Sequence, residues 1–210
     1  MALGAFIVIE GLEGAGKSSV MGALKSRLEE HAIRVVTTRE PGGTPMAEAI
    51  RDCVKQAWPD ETVTQQTELL LMYAARSQLV ENVIKPALDD GAWVLGDRHD
   101  LSSVAYQGGG RGVSLATLST LRQMTLGTFA PDFTLYLDIA PELGLSRARG
   151  RGELDRIEQA GLAFFERARE TYLQQIEALP NAVTVDASQA IEKVQADALI
   201  ALQQFIDNRA

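Results

Sequence analysis

Apolar residues fall in five short runs along the chain, at residues 6–10, 34–38, 93–97, 133–138 and 182–186. They are too continuous for half-exposed strands and too short for helices. They therefore predict strands buried on both faces, as in a parallel sheet. Between the runs the hydrophobic period becomes helical. Residues 18–30 put Val20, Met21, Leu24 and Leu28 on one stripe, and residues 117–126 do the same with Leu118, Leu121 and Leu126. Residues 69–79 are also expected to be helical. The final segment aligns Ile191, Val194, Leu199, Leu202, Phe205 and Ile206. Strands alternating with helices predict a doubly wound α/β sheet with helices on both sides. Such sheets bind ligands beyond the carboxyl ends of their strands, so the residues just after each run carry the functional reading.

Two segments depart from this rhythm. Residues 107–112 read QGGGRG, too rich in glycine for the interior of a helix or strand. Residues 146–156 read SRARGRGELDR, dense in arginine and broken by two glycines, which fits a solvated helix end or a charged mobile segment. No repeat or low-complexity linker interrupts the 210 residues, so one domain over 1–210 is expected.

Composition narrows the function. A net charge of −8 disfavours a nucleic-acid polymer as partner. It does not disfavour a small phosphorylated substrate, because a few arginines dominate a single cleft. Cys53 is the sole cysteine, so an internal disulfide and a cysteine metal cluster are excluded, which suits a reducing cytoplasm. The apolar run at 5–9 is too short to cross a membrane and lacks a basic leader, so no membrane partner is expected.

After the first run comes Gly11-Leu12-Glu13-Gly14-Ala15-Gly16-Lys17-Ser18, a full GxxxxGK[ST] between a predicted strand and a predicted helix. Its glycines let the backbone turn N–H groups around phosphate oxygens, and the helix behind presents its positive end. Lys17 is expected at the β- and γ-phosphates and the Ser18 hydroxyl on Mg²⁺. The motif binds nucleotide without naming a reaction. The chain has no guanine-reading [NT]KxD segment, and its acidity disfavours a motor on a polymer. Small-molecule kinases remain, and a kinase acting on a monophosphate needs a second anion site. Arg39 after the second run, Arg98 after the third and Arg76 in the helical segment are the candidates; guanidinium pairs with phosphate or carbonyl acceptors at fixed geometry. Asp97 ends a hydrophobic run, where a carboxylate holds a Mg²⁺-bound water or orients Arg98. His99 is assigned a packing or polar role.

The motifs IEGLEGAGKSS, TREPGGT, YAAR, GDRH, SSVAYQGGGRG, PDFTLYLD and RARGRGELDRIE occur in order between residues 9 and 158. Together they resemble the bacterial thymidylate kinase family of P-loop nucleoside monophosphate kinases. The resemblance implies a P-loop NTPase fold, with a parallel sheet in 2-3-1-4-5 order and a lid at about 146–157. It also implies a homodimer, Mg²⁺ as cofactor, and conversion of dTMP to dTDP with ATP by direct in-line transfer, in dTTP biosynthesis.

Residue roles follow from the same resemblance. ATP would be held by Gly11, Leu12, Glu13, Gly14, Ala15, Gly16, Lys17, Ser18, Ser19 and Arg147. Glu13 would accept the sugar 3′-hydroxyl, and Arg39 and Arg98 would hold the acceptor phosphate. Arg76 and Gln107 would read the thymine edge, with Met72, Tyr73, Ser102 and Ser103 beside them. Tyr106 would crowd the 2′ position. Arg151 would bridge the two phosphate groups from the lid. Lys17, Arg151, Arg98 and Glu13 form the implied catalytic set, and Ser18 and Asp97 the metal set.

Two positions differ within the family. Met72 stands where many relatives carry Phe, and Gly14 where one branch carries Arg. Two rival readings stay open at this stage. One is another small kinase, acting on dUMP, CMP or a non-nucleotide acceptor. The other is a nucleotide-binding regulatory or assembly protein that transfers nothing.

Overall fold

The structure, a computed structural model, describes residues 4–150 and 155–209. Five parallel strands form its sheet: β1 (Phe6–Gly11), β2 (Val35–Arg39), β3 (Trp93–Asp97), β4 (Phe133–Asp138) and β5 (Ala182–Asp186). Their spatial order is β2-β3-β1-β4-β5, as the resemblance implied. The helices are α1 (Lys17–Glu30), α2 (Pro45–Lys55), α3 (Gln65–Leu79), α4 (Lys85–Asp89), α5 (Asp100–Ser103), α6 (Leu115–Leu126), α7 (Pro141–Arg149), α8 (Leu162–Glu177) and α9 (Ile191–Asp207). Side-chain oxygens of Thr44, Thr64 and Ser114 cap α2, α3 and α6 by accepting the N–H three residues on.

Strand alternation divides the core. Ile7 and Ile9 join Leu24, Leu28, Val194 and Leu202 in one cluster. Phe6 and Val8 join Leu79, Ile84, Val94 and Leu126 in another. Each fully buried side chain of this size stabilises the fold by roughly 1.5–3 kcal/mol. Register then aligns the functional edge. Arg39 pairs with Asp97, and Asp97 pairs with Ile9, so the residues that follow β1, β2 and β3 emerge side by side.

The glycine-rich segment corrects its sequence reading. Val104–Gly110 is a π-helix with glycines in its interior. Tertiary contact overrides propensity here: a Cβ on Gly109 would lie 2.1 Å from Thr171 Oγ1, and one on Gly110 would lie 2.3 Å from the Phe164 ring. The bare backbone therefore packs directly on α8, where Arg167 donates to the carbonyls of Gly109 and Gly110 at 3.2 and 2.6 Å.

The arginine-rich segment begins as the last turn of α7 and returns at residue 155 against α2. There Asp155 pairs with Lys55 at 2.8 Å, and Arg156 donates from its backbone to the Lys55 carbonyl and from Nε to the Val54 carbonyl. Among the described residues no helix is long and apolar enough to cross a membrane.

Candidate active site

A cavity of about 470 Å³ opens at the carboxyl ends of the strands. The loop after β1 forms one wall with Glu13, Gly14, Gly16, Lys17, Ser18 and Ser19. Gly14 and Gly16 have φ of 75° and 88°, values that favour glycine. Lys17 closes the loop by donating from Nζ to the carbonyls of Gly11 and Leu12, each at 3.0 Å. Burial, aided by the nearby Arg98 charge, lowers the Lys17 ammonium to about 8. No side chain caps α1 among the described residues, so its first N–H groups face the loop as an anion site. Gly11, Leu12 and Ala15 lie beneath this wall as buried support rather than on the cavity surface.

Arg98 dominates the opposite wall. Its backbone has φ 74°, rare for a residue with a side chain, and is clamped on both sides. Arg98 N–H donates to the Ile9 carbonyl at 3.0 Å, and the next N–H, from His99, donates to Glu10 Oε1 at 2.8 Å. Glu10 is fully buried and also accepts from the hydroxyls of Ser102 and Tyr172; burial raises its pKa. The Arg98 guanidinium donates to Glu13 Oε1 at 2.7 Å and lies 4.8 Å from the centroid of the Tyr106 ring, whose hydroxyl donates to Glu13 Oε2 at 2.7 Å. Glu13, Arg98 and Tyr106 thus form a closed triad. Arg39, half-exposed, reaches the same cavity and pairs with Glu48 at 2.8 Å.

The deep wall carries Met72, Arg76, Ser102, Ser103 and Gln107. Arg76 is buried and immobilised: Nε donates to Glu40 Oε2 at 2.6 Å, and one terminal nitrogen donates to His99 O and Ser103 Oγ, each at 3.0 Å. Burial alone would lower Arg76, but Glu40 and Asp100 outweigh it and raise its pKa. Tyr73 lies behind this wall, stacked under the Arg76 guanidinium at 4.8 Å with its hydroxyl on Asp100. It supports Arg76 and does not line the cavity. His99 is a packing residue, edge-on to Phe6, with Nδ1 2.7 Å from Glu40 Oε1. At the outer rim, Arg147 is tied to the carbonyls of Ala187 and Ser188 at 2.8 and 3.1 Å. Arg151 lies outside the described residues.

Ser18 and Asp97 both line the cavity. Asp97 Oδ1 is buried without a hydrogen-bond partner among the described residues. An orphaned carboxylate oxygen in a cavity that a serine also lines suits a hydrated divalent cation that takes its other ligands from phosphate. No cluster of three or more His, Cys, Asp or Glu able to hold a metal alone occurs among the described residues.

The sequence reading missed Glu10, Glu40, Arg51, Lys55, Glu68 and Asp155, of which Glu40, Arg51, Lys55 and Asp155 line the cavity. Helical spacing held a signal for three of them. Arg51 and Lys55 are four apart on α2, and Glu68 precedes Met72 and Arg76 by four and eight on α3.

The thymidylate kinase family model matches residues 9–198 of this chain. The chain belongs to the thymidylate kinase family. A curated thymidylate kinase from Alteromonas mediterranea is 60% identical over 203 residues, covering 97% of this chain and 91% of that protein. Family membership makes the chain an ATP-dependent nucleoside monophosphate kinase. It also accounts for the pairing seen in the cavity, where a phosphate cradle faces a second set of arginines.

Proposed function

We propose that the cavity carries direct, in-line transfer from ATP on the P-loop wall to dTMP on the arginine wall. The chain phosphorylates dTMP to dTDP at the expense of ATP, a step of dTTP biosynthesis. The observation that carries the in-line reading is that Lys17, Arg39 and Arg98 line one continuous cavity. Two anions held so close need only positioning and charge neutralisation to react.

Each residue then has a task. Lys17 and the first N–H groups of α1 bind the β- and γ-phosphates. Arg39 and Arg98 hold the acceptor phosphate. Glu13, anchored by Arg98 and Tyr106, takes the sugar 3′-hydroxyl, and the Tyr106 ring crowds a 2′-hydroxyl. Arg76 and Gln107 read the base edge, with Met72 against the ring face. Ser102 and Ser103 hold Arg98 and Arg76 in place, and Tyr73 supports Arg76 from behind. Ser18 and Asp97 would hold Mg²⁺, whose charge offsets that of the triphosphate. Arg151 of the lid, with Arg147 at the rim, adds cationic charge to the transferring group. Closure of the lid excludes water. No covalent intermediate is required.

The chain acts as one domain, in the cytoplasm, and as a homodimer. Exposed Met46, Leu70 and Leu115, on α2, α3 and α6 with α3 packed against the other two, favour the dimer, which sedimentation would test.

ADP release coupled to dTMP, dUMP, dGMP or no acceptor tests the whole reading. Rapid release with dTMP, slower release with dUMP and little with the other arms are expected. Equal release in every arm would favour the nucleotide-hydrolysing alternative.

A further inference from the structure

Glu68 stands behind the base-facing wall. Its side chain is 2% exposed. Oε1 accepts from Gln107 Nε2 at 3.0 Å and from Arg111 Nε at 3.3 Å. Oε2 accepts from the Arg111 terminal nitrogen at 3.2 Å and lies 2.8 Å from a terminal nitrogen of Arg156. Burial would raise its pKa, but hydrogen bonds from Gln107 and Arg111 hold it below the usual carboxylate range. An ionised carboxylate has nothing to donate. The Gln107 amide must therefore turn its NH₂ group toward Glu68, and that choice decides where its carbonyl oxygen goes.

We propose that Glu68 is a positioning residue for base specificity: it locks the Gln107 amide in one of its two flips, so that the carbonyl oxygen faces the bound base. The proposal rests on the assignment of Gln107 to the base edge. Thymine presents an N3–H donor next to the O4 acceptor, whereas cytosine presents a bare N3 acceptor next to an amine. A carbonyl held toward N3 pairs with thymine and opposes the cytosine lone pair. An unlocked amide would rotate and satisfy either base. Arg76, itself fixed by Glu40, supplies the donor beside this acceptor. Uracil offers the same edge as thymine, so this device separates dTMP and dUMP from dCMP and leaves the thymine methyl unread.

The test is the ratio of kcat/KM for dTMP to that for dCMP, which cancels the fraction of folded enzyme. In Glu68→Gln the new amide both donates and accepts, so Gln107 is released. The ratio is expected to fall about tenfold, with the dTMP-to-dUMP ratio unchanged. The swap Glu68→Gln with Gln107→Glu restores one acceptor-only group facing the base, and is expected to return the ratio to within about threefold of wild type. An unchanged ratio in Glu68→Gln overturns the proposal, as does a swap variant that uses dTMP yet keeps the ratio of the single variant. Gln107→Ala separates the two layers. If it alters neither the ratio nor KM for dTMP, the base-edge assignment fails, and this inference with it.

Discussion

Gly14 and Gly144 meet backbone to backbone: a Cβ on Gly14 would lie 2.2 Å from the Gly144 carbonyl oxygen, and one on Gly144 would lie 2.5 Å from the carbonyl of Glu13. The phosphate loop therefore rests directly on α7, the helix whose last turn carries Arg147 and Arg149. Gly144→Ala is expected to cost about 1–3 kcal/mol of stability by overpacking and to weaken ATP binding by distorting the loop. Gly14→Arg adds strain at φ 75° to the same collision, so it should not create a working loop arginine. Thermal unfolding together with ATP calorimetry would check both; wild-type behaviour of Gly144→Ala would show that the contact has slack.

Lys17→Ala should reduce transfer by an amount on the order of a few kcal/mol of transition-state stabilisation, in a protein that stays folded. A second consequence concerns protons. Because the ammonium sits at about 8 in the protein alone, a triphosphate beside it raises that value. Above pH 7.5 ATP binding should then take up protons, roughly half of one per ATP at pH 8, declining as pH falls. Calorimetry in buffers of different ionisation enthalpy measures this, with Lys17→Met as the control. No uptake at pH 8.5 in the wild type would sink the idea.

Arg39 and Arg98 should separate under mutation. Both variants are expected to use dTMP poorly and bind ATP normally. The Arg39 side chain is 55% exposed, so Arg39→Ala should leave stability within about 0.5 kcal/mol of wild type. The Arg98 side chain is 15% exposed and neutralises Glu13. Arg98→Ala strands that carboxylate and should cost about 2–4 kcal/mol. Denaturant titrations and dTMP calorimetry on the pair provide the check, and loss of ATP binding with intact dTMP binding would reverse the assignment.

Sugar choice should follow Tyr106. The unmodified enzyme is expected to prefer dTMP, accept dUMP at a penalty of about 1–3 kcal/mol for the missing methyl, and use UMP far less well. Tyr106→Ala should relax the discrimination against ribose more than it alters dTMP over dUMP. Comparable kcat/KM for UMP and dTMP in the wild type would remove Tyr106 and Glu13 from this role.

Arg151, proposed as the lid arginine by its motif position, lies outside the described residues. With no cation in the phosphate loop at Gly14, the proposed mechanism draws the compensating charge for the transferring group from the lid arginines. Arg151→Ala is expected to lower turnover about 10²–10³-fold while dTMP affinity changes little. Arg149→Ala should do less. Single-turnover rates for the two variants decide it, and equal defects would leave only a diffuse basic segment.

Local signals in the sequence determined the strands, the phosphate loop and the arginines at the strand ends. Five apolar runs specify parallel strands, buried in β1, β3 and β4 but largely half-exposed in the edge strands β2 and β5, which the sheet order leaves open on one side, and a GK[ST] loop after the first has few other uses. Hence β3, β4 and β5 were expected with the bounds observed, and β1 and β2 ended one residue later than expected. Tertiary structure decided the rest, because it depends on which distant atoms meet. The glycines at 108–110 read as a break, yet they form a π-helix because α8 presses against their backbone. Glu10 looked like part of a strand, and burial among Ser102, Tyr172 and the His99 N–H made it the clamp on Arg98. Glu68, just before the segment expected to be helical, carries no local signal of a role, and only folding surrounds it with Gln107, Arg111 and Arg156. A carboxylate's role is set by which charges and dipoles surround it once water has been removed, and that environment is assembled from residues far apart along the chain.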